Sequence, residues 1–320
     1  MGINKNPTTL KELLNTKFPE QQWLVESLVP ADGITIMSAE PGSYKTYMLL
    51  DIAIKVTQGE QLFDKFATEK TNVLMVDEDN GGWLLNKRLK QLGAKEELPI
   101  YFYSDEGFLI DEKNIAKLLA KCIELDIKLL MIDCLAQVHD LEENAAGDMS
   151  KIFRQLRRFK AKGIAVLITH HNRKPGTTPG SSRHEMRGSS SILASADSQV
   201  ALKLDEDIVT VVQGKQRFDK VLKPFDLKVS DSRDEFSFTY LGSNEDGKVR
   251  DLEASIVSLL GENDRLFQKQ IFDLLTQAGV PINKHKLGSM LKKMNEAGKI
   301  STTKGTGNTK YYSLPPQPKA

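Results

Sequence analysis

The sequence is poor in cysteine and has no long apolar stretch. Its 320 residues include two cysteines, Cys122 and Cys134, both in apolar-periodic segments. That excludes a disulfide-stapled scaffold; the two read as core thiols, with no metal or bridge assigned to them. No apolar run approaches the roughly 20 residues needed to cross a bilayer, so no membrane partner is expected. The start, Met1 to Lys17, is polar and lacks the apolar core of a signal peptide, and a cytoplasmic location is expected. An excess of one charge is missing too: 44 Lys and Arg stand against 43 Asp and Glu, a formal net charge of +1. A polyanionic partner must then be met by local clusters of basic residues. Solenoid-type repeats are absent. The composition, 40% hydrophobic and 27% charged, is that of a soluble globular protein, and the length suits one large domain plus a smaller one.

Along the chain, residues 1–30 form a lead-in with a short helix capped by Thr8 or Thr9. From 31 to 242, short apolar runs alternate with helical patterns. The runs are Ile34–Ala39, Val73–Asp77, Ile100–Tyr103, Lys128–Asp133 and Ala165–His170. Continuous runs this short read as strands buried on both faces of a parallel sheet, and their alternation with helices predicts an α/β layered domain. Gln199–Leu204, Val209–Gln213 and Phe225–Val229 come next without intervening helices, which predicts an antiparallel extension of the sheet. Residues 243–250 read as a linker. Residues 251–314 show three helical patterns and then two strands around Gly305-Thr306-Gly307-Asn308, the layout of a small winged helix-turn-helix. The tail, 315–320, is expected to be disordered.

The segment Ala39-Glu40-Pro41-Gly42-Ser43-Tyr44-Lys45-Thr46 lies between an apolar strand and an amphipathic helix, the context a phosphate-binding loop requires. Amides at a helix N-terminus point at an anion, and the helix dipole favours negative charge there. Lys45 would reach the β and γ phosphates of ATP, and the Thr46 hydroxyl would ligate Mg²⁺. Tyr44 stands where glycine normally precedes the lysine. A tyrosine fits if its backbone keeps to the right-handed helical region, since only a positive φ calls for glycine. Lys128–Asp133 is an apolar strand ending in an acid that would face the phosphate crevice, placing Asp133 in the Mg²⁺ shell. Val73–Asp77 runs into Glu78 and Asp79. A carboxylate here could deprotonate the attacking water, with Glu78 favoured over Asp77 and Asp79.

The phosphate loop, Glu78-Asp79, Asp133, His170-His171 and Arg187-Gly188-Ser189-Ser190 occur in a fixed order, joined by Trp23-Leu24-Val25 to Pro30 and by Glu142 to Gly147. In that order and spacing, about residues 20–240 resemble the RecA-like ATPases of the RepA type, hexameric plasmid replicative helicases with phage and mobile-element relatives. The resemblance implies ATP and Mg²⁺ as cofactors, Glu78 as catalytic base and Asp133 as Walker B acid. It implies His170 or His171 as the polar sensor of the γ-phosphate. Lys215 and Arg217, in Gln213-Gly214-Lys215-Gln216-Arg217, match a finger pair that reaches the ATP of an adjacent subunit. It also implies a homo-oligomer, a hexamer, around single-stranded DNA. The departure at Tyr44 bears on the hydrolysis rate more than on the fold.

Two regions would meet nucleic acid. Asn172 to Arg187 is a long polar stretch with Arg173, Lys174, Arg183 and Arg187, suited in a ring to grip a phosphate backbone in the central channel. The C-terminal module carries Lys284, Lys286, Lys292 and Lys293 on or beside its third helix and Lys304 by the wing tip. From Asp251 onward, ten Lys and Arg face six Asp and Glu, so duplex DNA or a protein partner is expected there. The leading reading is an ATP-driven helicase-type motor. A non-translocating regulatory ATPase and a filament-forming recombination or repair accessory remain open beside it.

Overall fold

Strands whose residues are apolar at every position need cover on both faces, and the central sheet provides it. A computed structural model of the chain describes residues 7–143, 145–171, 190–278, 280, 282, 284–305 and 309–315. The chain divides into two compact units, Met1–Tyr240 and Leu241–Ala320.

In the first unit, helix α1 (Leu10–Asn15) starts at Thr9, whose hydroxyl accepts from Glu12 N while the Glu12 carboxylate accepts from Thr9 N at 2.7 Å, a reciprocal capping box. Strands β1 (Trp23–Val25) and β2 (Val29–Pro30) form a small hairpin. The order then runs β3 (Ile34–Ala39), α2 (Lys45–Gln58), β4 (Asn72–Asp77), α3 (Gly81–Gln91), β5 (Ile100–Ser104), α4 (Glu112–Glu124), β6 (Ile127–Asp133), a 3₁₀ turn at Leu135–Gln137, α5 (Ala146–Lys160) and β7 (Ala165–His171). Helix α6 (Ser190–Ser195), β8 (Ser198–Asp205), β9 (Ile208–Gln216), β10 (Phe225–Asp231) and β11 (Phe236–Ser243) complete the nine-stranded sheet, in the order β11-β10-β9-β8-β3-β7-β6-β4-β5.

Burial alternates across that sheet with the period of two that a pleated strand imposes. Met37, Met75, Met131 and Leu167 point to one core, under Met48, Leu49, Ile52 and Val56 of α2. Ile36, Leu74, Ile132 and Ile168 point to the other, under Ile115 and Leu118 of α4 and Ile152, Phe153 and Leu156 of α5. Strand β8 runs parallel to β3, so the antiparallel extension begins one strand later than its sequence suggests, at the β8–β9 pair.

The second unit begins with α7 (Asn244–Glu262), followed by β12 (Leu266–Phe267), α8 (Gln268–Gln277), α9 (Lys284–Glu296), β13 (Ser301–Lys304) and β14 (Lys310–Ser313). Residues 244–250, within the stretch read as a linker (243–250), are helical and form the first turns of α7. The helices bury Ile256, Leu260, Ile271, Leu287, Leu291 and Met294 against each other. Strand β14 is central in a three-stranded sheet, with β12 on one side and β13 on the other. The two-residue β12 is too short to announce itself in sequence. Residues 279, 281, 283, 306–308 and 316–320, which take in the expected wing tip and nearly all of the tail, lie outside the described residues. Among the described residues, no helix is long and apolar enough to cross a membrane.

Candidate active site at the phosphate loop

The carboxyl ends of β3, β4, β6 and β7 bring the chemistry together, because neighbouring parallel strands end side by side. A cleft of about 320 Å³ opens there, lined by Pro41, Gly42 and Tyr44 to Tyr47 from the loop and α2, with Asp79, Asn80, Arg88, Asp133 and His171. A second hollow of about 390 Å³ lies over α4, lined by Tyr103, Phe108 and Leu118 with Lys117 and Lys121. It holds none of the phosphate-loop groups, so the chemistry belongs to the first.

Thr46 and Asp133 meet directly, the hydroxyl donating to Oδ2 at 2.7 Å. Asp133 is 1% exposed and needs every partner it has. It also accepts from Asn80 Nδ2 at 3.1 Å and, in a very short bond, from the Thr169 hydroxyl. A hydroxyl and a carboxylate oxygen are the hard donors that Mg²⁺ takes, so Thr46 and Asp133 fit that ion. Lys45 turns back on its own loop. Its ammonium donates to the Ala39 and Glu40 carbonyls at 3.3 and 3.1 Å and lies 3.1 Å from His171 Nδ1. Burial lowers the Lys45 pKa, against the pull of Asp133.

Asp77 ends β4 fully buried and organises the turn into α3. Its Oδ1 accepts from the amides of Asp79 and Asn80 at 2.9 and 2.7 Å, and Oδ2 from Asn80 Nδ2 at 2.9 Å. Burial raises its pKa while these bonds oppose the rise. The turn sends Glu78 and Asp79 in different directions. The Glu78 carboxylate accepts from the amides of Gly107 and Phe108 at 3.0 and 3.1 Å, on the wall of the second hollow. Asp79 lines the phosphate cleft, its Oδ2 4.0 Å from His171 Nε2. Glu78, expected as the water-activating carboxylate, thus faces the Gly107 and Phe108 amides here, and of the two acids Asp79 is the one that lines the cleft.

The two histidines separate in the same way, as consecutive residues of a strand must. His171 lines the cleft, its pKa lowered by burial and by Lys45. His170 points elsewhere, with Nε2 3.3 Å from Glu143 Oε2. Lys215 and Arg217 are not at this cleft. Lys215 pairs with Gln199, which sits beside Ile36, three residues or roughly 10 Å back from Ala39. Lys215 donates to the Leu193 and Ala194 carbonyls at 3.1 and 3.0 Å, and Arg217 to Asp197 Oδ1 at 3.2 Å. Asp197 also receives Lys160 and the Ile34 amide.

Tyr44 does not keep to the right-handed region. Its φ is 61° and ψ 23°, left-handed, so the position does call for the freedom of glycine and a tyrosine fills it nonetheless. Four residues at the cleft escaped the sequence reading: Asn80, Arg88, Thr169 and Tyr47. Thr169 was accessible in principle, as a polar residue near the end of an otherwise apolar parallel strand. Arg88, which donates to Asn80 Oδ1 at 2.6 Å, looks in sequence like one more cation of a solvated helix.

Of the cations expected to meet nucleic acid, Arg173, Lys174, Arg183 and Arg187 lie outside the described residues. Lys284, Lys286, Lys292, Lys293 and Lys304 are exposed on α9 and β13. Lys292 is 3.8 Å from Glu296, and Lys284 lies over the Phe272 ring.

A family model described as an AAA domain matches residues 5–177, more than half of the chain. The KaiC-like protein PH0186 from the hyperthermophilic archaeon Pyrococcus horikoshii OT3 shares the fold, with a TM-score of 0.50 and 14% identity over 67% of this chain and 93% of that one. The flagellar accessory protein FlaH from Methanocaldococcus jannaschii matches with a TM-score of 0.46 and 13% identity, over 66% and 90% of the two chains. A solved ATPase domain matches with a TM-score of 0.48 and 16% identity, over 64% and 84%. No curated protein matches the chain. With its phosphate loop between β3 and α2 and its mainly parallel sheet, the chain belongs to the AAA domain family and carries a RecA-like P-loop ATPase core.

Proposed function

We propose that the chain is an oligomeric, ATP-hydrolysing motor that acts on DNA, a replicative-type helicase of the RepA kind, with its C-terminal unit as a winged helix. The observation that carries the catalytic part is the Thr46–Asp133 bond inside a cleft that also receives Lys45, Asp79 and His171. With bound ATP, Lys45 leaves the Ala39 and Glu40 carbonyls for the phosphates, where its charge offsets charge developing on the γ oxygens. Thr46 and Asp133 would hold Mg²⁺, which would supply positive charge against the phosphates. Asp79 accepts the proton of the attacking water, and His171, beside both Lys45 and Asp79, senses whether the γ-phosphate is present.

The placement of Lys215 and Arg217 supports assembly into a ring. They sit at the far end of β8 and β9, out of reach of the cleft in their own chain. A finger role then requires a neighbouring subunit, whose ATP they approach after leaving the carbonyls they hold. In the C-terminal unit, the succession helix, strand, two helices and hairpin, with lysines exposed along α9, supports a winged helix that meets duplex DNA or a protein partner. The test is ATPase rate with and without single-stranded DNA, with the mass of the assembly measured on the same sample. Stimulation by single strands in a hexamer is the expected result. A hydrolysing ring that displaces no strand would rule out the helicase and leave the regulatory ATPase.

A further inference from the structure

The chain solves an unusual problem at the phosphate loop. A left-handed tyrosine at the start of α2 costs free energy that glycine does not, because its Cβ crowds the carbonyl oxygen. Something must hold it there, and the contacts identify it. The Tyr44 ring lies 5.2 Å from Phe236 and 6.0 Å from Tyr47, and Tyr47 stacks on Phe236 at 3.8 Å with the planes 15° apart. Phe236 opens β11, just past the turn after β10. The turn is also pinned where it leaves β10. The Tyr44 hydroxyl donates to Asp231 Oδ2 at 3.4 Å, and Gln91 Nε2 donates to the Ser232 carbonyl at 2.8 Å while Gln91 Oε1 accepts from the Tyr47 hydroxyl at 2.6 Å.

We propose that Tyr44 is a positioning residue for ATP, clamped in the left-handed conformation by the β10–β11 turn, so that the order of the phosphate loop depends on a hairpin at the sheet's antiparallel edge. Where glycine fills this position the loop shapes itself; here Phe236 and Asp231 shape it from outside. The inference rests on the ATPase reading and deepens it. Phe236 is 4% exposed and does not line the cleft, so it acts on ATP at second hand, through the conformation it imposes on Tyr44.

The test is a cycle in the full-length protein, read by equilibrium binding of Mg·ATP and by KM and kcat. Phe236→Ala should weaken ATP binding and raise KM by about three- to tenfold, the range that one or two ring contacts carry, with kcat within about twofold. In a Tyr44→Gly background, Phe236→Ala should change binding by less than about twofold, because glycine reaches a positive φ unaided. Tyr44→Ala, which keeps Cβ and loses the ring, should bind ATP more weakly than both wild type and Tyr44→Gly. Should Phe236→Ala not fold, that ordering of the three Tyr44 forms decides alone. Equal losses from Phe236→Ala in both backgrounds, no loss in either, or Tyr44→Ala binding as wild type would overturn the proposal. A wild-type protein that binds no ATP would sink the ATPase reading itself.

Discussion

Glu78 and Asp79 are adjacent acids with opposite surroundings, and exchanging each for its amide separates their roles. Asp79 lines the cleft and is exposed, and among the described residues its carboxylate has no hydrogen bond to lose. Asp79→Asn therefore leaves stability nearly unchanged. It removes a proton acceptor, and a positioned general base contributes about 10²–10⁴ in rate, roughly 3–5 kcal/mol of barrier. The Glu78 carboxylate accepts two backbone amides, from Gly107 and Phe108. Glu78→Gln keeps one acceptor and presents an NH₂ group to the other amide. Losing one charge-assisted bond in a half-exposed place costs about 1 kcal/mol, or roughly 2–4 °C in Tm for a domain of this size. Steady-state ATPase kinetics, ATP binding and thermal melting on both variants provide the assay. Expected for Asp79→Asn are intact ATP binding, unchanged Tm and kcat down at least a hundredfold. Glu78→Gln should melt a few degrees lower with kcat within about fivefold of wild type. The reverse assignment, with turnover lost in Glu78→Gln and kept in Asp79→Asn, would refute the argument from side-chain direction.

Burial on α2 pushes the Asp51 carboxyl from 3.8 up to about 6, Lys55 opposing and Asp64 adding to the rise. The folded state thus holds the proton more tightly than the unfolded chain, and stability falls as pH rises from about 4 to 6. Asp51→Asn should gain about 1–2 kcal/mol at pH 7 and nothing near pH 3.5, checked by urea unfolding at both. Lys45→Ala should abolish hydrolysis, and mixing its subunits with Arg217→Ala subunits should restore part of it. No recovery in rings shown to be mixed would count against a finger acting in trans. Lys292→Glu with Lys293→Glu should lower the salt dependence of duplex binding by roughly one unit of slope per lost phosphate contact, an unchanged slope placing the DNA elsewhere.

The parallel core was legible because burial on both faces leaves a plain signature. Val73–Asp77 and Lys128–Asp133 are apolar at nearly every position, and each becomes a strand with its acid at the carboxyl end. The Thr46–Asp133 pair follows from that geometry alone. Which of Glu78 and Asp79 lines the cleft does not, because it depends on how the Asp77 carboxylate holds the backbone just after the strand. The conformation of Tyr44 was also out of reach. Its contacts come from Phe236 and Asp231, nearly two hundred residues away, and no local pattern reports them.

The position of β3 in the sheet has a consequence for how the chain folds. The strand that launches the phosphate loop is central, between β7 and β8, and the Ile34 amide bonds the carboxylate of Asp197, 163 positions further on. During synthesis, β3 and the apolar face of α2 emerge long before either flanking strand exists, and contacts this distant are slow to close. The nascent ATPase unit therefore carries exposed apolar surface until β8 has left the ribosome, the condition under which chaperones are needed. A chain ended before residue 198 leaves the loop on an unpaired edge, while one ended after Tyr240 keeps every partner of β3.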